Sequence, residues 1–300
     1  DDAPVPRDDA KPRARVCSRP MSNPSQTRST LCALGAIALW ALLATLGVAL
    51  SHVPPFLLTG LALLVGSVPA WPRWRDWRVP APTLLLGVYG LFGFHFLLFI
   101  ALRHAPPVEA NLVNYLWPLL IVVMAPLFLP GLRLRAVHVG AALAGFAGAA
   151  LAIVGGRELS GAWSWGYLPA LGSAFIWASY SLLTKRVAAF PTAAIGLFGL
   201  VSGVLSLACH VALEPAASLS ARDWALVAAM GLGPLGAAFF LWDVALKRGD
   251  PRRIGVLSYL TPLASTVLLV LATGRGFSGW IAAAAALIVG AAVVGVRAEG

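Results

Sequence analysis

Aromatic side chains with a polar tip lie inside long apolar segments of this sequence, away from the segment ends or beside a proline. Seven such residues are Trp40, Tyr115, Trp117, Trp177, Tyr180, Trp242 and Tyr259. Trp177 and Tyr180 are three residues apart and therefore share a helix face. Flat rings on an interior face can stack on a planar ligand, which contributes ~0.5–1.5 kcal/mol beyond burial. All but Trp242 are our candidate substrate-binding residues, and ordinary core packing is the alternative.

Polar side chains occur at similar depth. His95 lies in a Phe-Gly-Phe-His-Phe run, and an imidazole in hydrocarbon is costly and usually faces the protein interior. It could donate to or accept from a substrate, shuttle a proton, or form an interhelical hydrogen bond. Asn111, Asn114 and Ser258 could bind an amino or carboxyl group, or serve as interhelical partners. We predict all four at the binding site.

Two prolines, Pro118 and Pro262, interrupt apolar segments at corresponding places. A proline inside a helix removes one backbone hydrogen bond and kinks the helix. At membrane depth, freed carbonyls are tolerated only beside protein or a water-filled cavity. Paired breaks of this kind mark the binding site in many transporters, so we predict both prolines at the site. Kinks that serve packing alone are the alternative.

The groups that enzymes and metal sites need are scarce. Asp243 is the only acidic residue inside an apolar segment, and Lys247 follows at i+4, which predicts a local ion pair. No glycine-rich phosphate loop precedes Lys185 or Lys247, and Leu200 stands where a Gly-x-Ser-Gly motif around Ser202 needs glycine. The sequence therefore predicts neither an enzyme nor a metal site, which leaves a carrier or a passive channel.

These residues stand in a chain whose composition is that of a membrane protein. Of its 300 residues, 59% are hydrophobic and 11% charged, and the mean hydropathy is +0.82. Soluble domains have about 45–50% apolar and about 25% charged residues. The net charge of +10 comes from short basic runs between apolar segments, so we predict a lipid bilayer as partner and no nucleic acid.

A bilayer core of ~30 Å requires about 20 helical residues. The segments that satisfy this are 31–50, 54–71, 82–102, 108–130, 136–155, 163–184, 190–213, 224–246, 254–273 and 277–296. Strands of a transmembrane barrel would alternate in polarity and be about half as long. We predict an all-α membrane protein of ten transmembrane helices. Residues 1–30 are polar and proline-rich, which predicts a disordered cytoplasmic tail.

Basic residues divide unequally between the two sides of these segments. With the N-terminus inside, 18 of the 22 Lys and Arg residues fall on the cytoplasmic side. The other side receives Arg103, Arg157, Arg222 and Arg275. Cytoplasmic loops of membrane proteins are enriched in Lys and Arg, so we predict both termini in the cytoplasm.

The sequence also resembles itself. Residues 101–119 align with 245–263 at an offset of 144 and share a Tyr-Leu-x-Pro-Leu run, and Trp40 matches Trp177 at an offset of 137. We predict two halves, 31–156 and 163–297, each with five helices. Because five is odd, the halves have opposite orientations in the membrane. Inverted repeats let a midplane site open to one side and then to the other.

Ten helices in such a repeat, with Tyr-Leu-x-Pro-Leu at 115–119 and 259–263, resemble the EamA branch of the drug/metabolite transporter superfamily. The resemblance extends from residue 31 to residue 297. The combination of Asn111, Asn114, Tyr115, Trp117 and Pro118 is most similar to the aromatic amino-acid exporters of that branch. The resemblance implies export of small metabolites across the bacterial inner membrane, without a cofactor.

We therefore expect a carrier that exports aromatic amino acids by alternating access, with other neutral amino acids left open as further substrates. No carboxylate is predicted deep in the bundle, which favours facilitated exchange, although His95 leaves proton coupling open. A broad metabolite or drug exporter of the same superfamily is the alternative. We expect the protein to function as a monomer.

Overall fold

The computed structural model describes residues 24–156, 158–273 and 278–297. Within these ranges the chain forms helices and short connectors, and no strand. The helices are α1 (Pro24–Ala49), α2 (Pro55–Trp77), α3 (Ala81–His104), α4 (Pro107–Phe128), α5 (Ala136–Val154), α6 (Tyr167–Leu183), α7 (Ala194–Leu213), α8 (Ala221–Arg248), α9 (Pro251–Ala272) and α10 (Gly279–Arg297).

Eight of these helices, all except α6 and α10, are long and apolar enough to cross a bilayer. The helix α6 has 17 residues, and the apolar part of α10 runs over Gly279–Gly295. The all-helical prediction is confirmed for the described residues. Apolar length is a reliable signal because every backbone polar group in hydrocarbon must be satisfied within its own helix.

The start of α1 differs from the predicted boundary. The helix begins at Pro24, so the last seven residues of the predicted disordered tail are helical, while residues 1–23 lie outside the described ranges. The polar side chains here find carbonyl partners. Ser29 Oγ donates to the carbonyl of Ala245 in α8 at 2.8 Å, and Thr30 Oγ1 donates to the carbonyl of Gln26 at 2.9 Å. The bond from Ser29 joins the polar start of α1 to α8.

Several helices are interrupted part-way along their length. The helix α1 divides at Leu42, α4 divides at Tyr115 and Leu116, and α9 divides at Ser258 and Tyr259. The helices α3 and α8 each contain a π-helical turn, Tyr89–Gly93 and Gly233–Ala237. The two π turns are separated by the same 144-residue offset as the sequence repeat. Irregular backbone at this depth needs protein or a cavity beside it.

The two predicted proline breaks take a specific form. Pro118 is the second residue of the helix Trp117–Phe128, and Pro262 is the third residue of Leu260–Thr273. Proline is tolerated in the first turn of a helix, where its missing N–H has no intrahelical acceptor. The chain therefore stops one helix just before each proline and starts another.

Glycine pairs bring the helix backbones into close contact around α2. A Cβ atom on Gly66 of α2 would lie 2.7 Å from the carbonyl oxygen of Gly231 and 2.9 Å from the Cα of Gly236, both in α8. On another side of α2, a Cβ on Gly60 would lie 3.1 Å from the carbonyl oxygen of Gly203 in α7. Small residues permit such close packing of membrane helices. The helix α2 is thereby held against both α7 and α8.

Candidate functional site

A cavity of about 420 Å³ lies in the bundle, lined by residues of α1, α2, α3, α4, α6, α8 and α9. Its volume falls within the range of about 300–1,000 Å³ that is typical of small-molecule sites. Seven of the twelve predicted site residues line it, namely Trp40, His95, Asn111, Asn114, Tyr115, Trp117 and Trp177. The structure therefore brings together predicted residues from four different helices.

The aromatic wall of the cavity is centred on Trp177. Its ring centroid is 5.8 Å from that of Trp40 and 6.4 Å from that of Trp117, both in edge-to-face contact. Phe94 and Phe239, which also line the cavity, are at 5.4 and 5.7 Å from the same ring. Inclined ring pairs at these distances are favourable. The cavity thus has a continuous aromatic surface onto which a flat ligand ring can pack.

Trp242 supports this wall from behind. It is 1% exposed, does not line the cavity, and stacks on Trp177 with an interplanar angle of 25° and a centroid distance of 6.1 Å. Its indole Nε1 donates to Ser181 Oγ at 3.1 Å. Trp40 is fixed in a similar way, since its Nε1 donates to the carbonyl of Pro234 in the π turn of α8 at 3.1 Å. Hydrogen bonds at the ring edges therefore fix the orientation of two of the rings in this cluster.

Apart from His95 and the indoles, the polar side chains of the cavity lining carry amide and hydroxyl groups. Asn114 Oδ1 accepts from Ser173 Oγ at 2.8 Å, and Ser265 Oγ donates at 3.0 Å to the carbonyl of Ala41, next to the break in α1. Asn111, Tyr115 and Thr59 add further polar groups to the lining. No Asp, Glu, Lys or Arg is found among the lining residues in the described ranges. A ligand with no net charge suits this surface, because a charged one would be dehydrated without a counter-ion.

His95 faces the cavity from α3. Its Nδ1 lies 2.6 Å from the carbonyl oxygen of Leu91, one turn earlier in the same helix. Its ring contacts those of Phe94, Phe99 and Phe239 at centroid distances of 5.0, 6.0 and 6.4 Å. The bond to Leu91 is within one helix, so it is not the interhelical bond that the sequence left as an alternative.

Five predicted site residues lie outside the cavity lining. Tyr180 packs on Trp177 and on the backbone of Gly90, where a Cβ atom would lie 2.3 Å from the tyrosine ring. Tyr259 is fully buried against Gly145 of α5, and Ser258 Oγ donates to the carbonyl of Ile254 at 2.7 Å. Pro118 and Pro262 are buried next to the helix breaks. These five lie on helices that line the cavity, but not in its lining.

Other lining residues did not stand out in the sequence. They are mainly apolar, and those with aromatic or hydroxyl groups are Thr59, Phe94, Phe99, Phe239, Thr261 and Ser265. The sequence could have identified the hydroxyl residues. Thr59 is the only polar residue between Pro55 and Val65. Thr261 and Ser265 are spaced i,i+4 and therefore share one helix face. The phenylalanines gave no signal, since they are equally suited to face lipid.

The cavity extends towards one end of the bundle. Its lining includes Pro55 at the start of α2, Leu102 near the end of α3 and Asn111 near the start of α4. We call this the Arg103 end. There Glu214, which follows α7 and has a fully buried side chain, accepts from Arg103 Nη2 at 2.8 Å and from the backbone N–H groups of Phe56 and Leu57 at 2.9 and 3.1 Å. This carboxylate joins the ends of α2, α3 and α7.

Polar contacts join the helices at the opposite end, which we call the Lys247 end. The predicted ion pair is confirmed, with Lys247 Nζ 2.7 Å from Asp243 Oδ2. The same oxygen accepts from Thr192 Oγ1 at 2.6 Å, and Lys247 Nζ also donates to the carbonyl of Phe190 at 2.8 Å. Lys185 Nζ donates to the carbonyl of Gly249 at 2.9 Å. These contacts join the end of α8 to the ends of α6 and α7, beyond Trp242.

Comparison with known proteins agrees with this architecture. The profile of the EamA-like transporter family matches the chain twice, over residues 27–154 and 164–297. The chain belongs to the EamA-like transporter family. As a member of that family with several membrane-length helices, it is a multi-pass membrane transporter.

Several proteins with curated names are similar in sequence to this chain. The chain is 44% identical over 280 residues to a protein of Ancylobacter novellus named aromatic amino acid exporter YddG, with 90% of this chain and 97% of the relative covered. A protein of the same name from Escherichia coli K12 is 30% identical, with 85% and 93% covered. A solved crystal structure is similar with a TM-score of 0.84 and 43% identity, covering 90% of this chain and 96% of that one.

Proposed function

We propose that this chain exports the aromatic amino acids Phe, Trp and Tyr, and other neutral amino acids more weakly, across the bacterial inner membrane. The observation that carries the proposal is the cavity, which has no charged lining residue in the described ranges and a wall formed by Trp40, Trp117 and Trp177. A zwitterionic amino acid has no net charge, and an aromatic side chain matches the wall. The names of the relatives support the same substrate class.

The architecture that we propose is ten transmembrane helices in two inverted repeats, 31–156 and 163–297. The double match to the family profile supports two copies of one unit. So do the paired irregularities, which are the π turns of α3 and α8 and the breaks of α4 and α9. We include the shorter helices α6 and α10 among the ten because both pack within the bundle. The helix α6 carries Trp177 into the cavity wall, and α10 packs on α5.

Transport in this proposal proceeds by alternating access. The cavity extends to the Arg103 end, while Trp242 and the contacts of Lys247 separate it from the other end. With both termini in the cytoplasm, this conformation is accessible from outside, and the Lys247 end must open for substrate to enter from the cytoplasm. The lining contains no carboxylate in the described ranges, which favours facilitated exchange over obligate cation coupling. One chain supplies the whole cavity, so the unit of transport is a monomer.

The proposal is tested with purified protein in liposomes. Uptake of labelled Trp, Phe, Tyr, Ala and Thr is measured with and without a pH gradient, in empty vesicles and in vesicles preloaded with the same amino acid. We expect saturable uptake of the aromatic substrates that preloading accelerates. Unsaturable flux would indicate a channel, and equal flux of all five would indicate a broader exporter. A large acceleration by the pH gradient would contradict the uncoupled mechanism.

A further inference from the structure

The geometry assigns to His95 a role in selecting among aromatic substrates. We infer that its Nε2 atom accepts a hydrogen bond from the ring N–H of a bound Trp, or from the phenol O–H of Tyr, and so favours these over side chains that lack a ring donor. The inference rests on the proposed function and adds a specificity-determining residue to the site.

The hydrogen bond to Leu91 fixes the tautomer of the imidazole. A carbonyl oxygen can only accept, so at 2.6 Å from it the Nδ1 atom must carry the hydrogen. In a neutral ring the other nitrogen, Nε2, is then an acceptor with a free lone pair. The neutral form is favoured because the ring is surrounded by Phe94, Phe99 and Phe239, and no carboxylate lines the cavity in the described ranges.

Among the lining side chains in ring contact with the aromatic wall, His95 is the one that offers an acceptor in the described ranges. The lining side chains in ring contact with Trp177 are Trp40, Phe94, Trp117 and Phe239. Indoles are donors only, and phenylalanines neither donate nor accept. His95 touches two of these rings, Phe94 and Phe239, so its imidazole lies at the aromatic wall. A ligand ring placed against the wall would bring its donor close to Nε2.

The preference follows from what each ligand does to Nε2. A ring donor replaces the water that leaves the imidazole on binding, whereas a ring without one leaves Nε2 dehydrated and unpaired. The net contribution of one hydrogen bond corresponds to a preference of roughly two- to tenfold. Substrates that differ only in the ring donor should therefore differ by this factor in exchange rate at low concentration.

The test compares Trp with 3-benzothienylalanine, in which sulfur replaces the indole N–H at nearly unchanged shape. Exchange by the parent protein in liposomes should favour Trp by roughly two- to tenfold. In His95→Phe this ratio should fall to near one, and in His95→Gln, which retains an acceptor, it should stay above one. Phe96→Leu is the control, since Phe96 is next to His95 in α3 but packs on Phe56 outside the cavity lining, and it should keep the parent ratio.

Ratios within one variant cancel differences in expression, folding and total rate. An equal ratio in the parent and His95→Phe would overturn the assignment, as would a parent protein that does not discriminate at all. The parent comparison needs no variant, so a parent ratio of one overturns the assignment even if His95→Phe does not fold. A folded parent that moves no aromatic amino acid would overturn the proposed function itself, and with it this role.

Discussion

At the scale of single residues, Trp117 combines a place in the cavity lining with contacts to three other indoles. Its ring lies 6.4 Å from Trp40 and 5.7 Å from Trp242, and it directly precedes Pro118 at the restart of α4. We expect Trp117→Ala to remove a stacking surface worth on the order of 1 kcal/mol for an aromatic ligand. Exchange of Phe and Trp should fall several-fold, and exchange of Ala should fall less, when measured in liposomes at equal protein content.

Trp280→Ala is the matched control for this change. Trp280 is 51% exposed in α10, outside the cavity lining, so its loss should leave the ratio of Phe to Ala exchange as in the parent. Thermal unfolding of both variants in detergent shows whether the fold is intact. Unchanged Phe and Trp exchange in Trp117→Ala, or loss of all substrates together with the fold, would contradict a stacking role.

At the scale of helices, the backbones of α2 and α8 approach each other closely at Gly66, and a single substitution can test this contact. We expect Gly66→Ala to lower the free energy of unfolding by about 1–3 kcal/mol, because the new methyl group would meet the backbone of Gly231 and Gly236. Gly140→Ala in α5 is the control, since a Cβ there has no atom within 4 Å and alanine favours a helix. Both are measured by thermal unfolding. Equal melting temperatures would show that α2 and α8 separate easily.

The helices themselves were predictable, and their irregularities only in part. Apolar length located most helix ends within four residues, but it missed the start of α1 by seven and the end of α2 by six. Pro118 and Pro262 indicated where α4 and α9 restart. The π turns were not predictable, because glycines such as Gly90 and Gly93 gave the same pattern as an ordinary packing face. A π turn depends on which groups pack beside it, such as the indole N–H of Trp40 that meets the carbonyl of Pro234.

The lining of the cavity was predictable in the kinds of residue it contains, more than in which residues these are. Deep aromatic and amide residues of the first half, such as Tyr115 and Asn114, line the cavity as expected. Their counterparts Tyr259 and Ser258 do not, since the equivalent face of α9 packs on α5. A sequence repeat gives matching positions along two helices, but the neighbours of each helix depend on tertiary packing. Thr261 and Ser265 face the cavity instead.

At the scale of the whole molecule, the distribution of basic residues predicts how the bundle is inserted. A reporter fused after residue 297 should be active only as a cytoplasmic reporter, because 18 of the 22 Lys and Arg residues then lie on that side. A second fusion in the 214–220 connector should report the opposite side. If the C-terminal fusion is active outside the cytoplasm, the bundle has the opposite orientation and the cavity opens towards the cytoplasm.

The cluster of Trp40, Trp117, Trp177 and Trp242 has an optical consequence. Four indole chromophores with centroids 5.2–6.4 Å apart are close enough for their excited states to couple. Such coupling gives near-ultraviolet circular dichroism and fluorescence that depend on the mutual angles of the rings. The other seven of the 11 tryptophans are outside the cluster, so their emission forms a steady background. Phenylalanine itself absorbs and emits only weakly. Its binding would nevertheless shift the tryptophan emission spectrum of the protein, without an attached label.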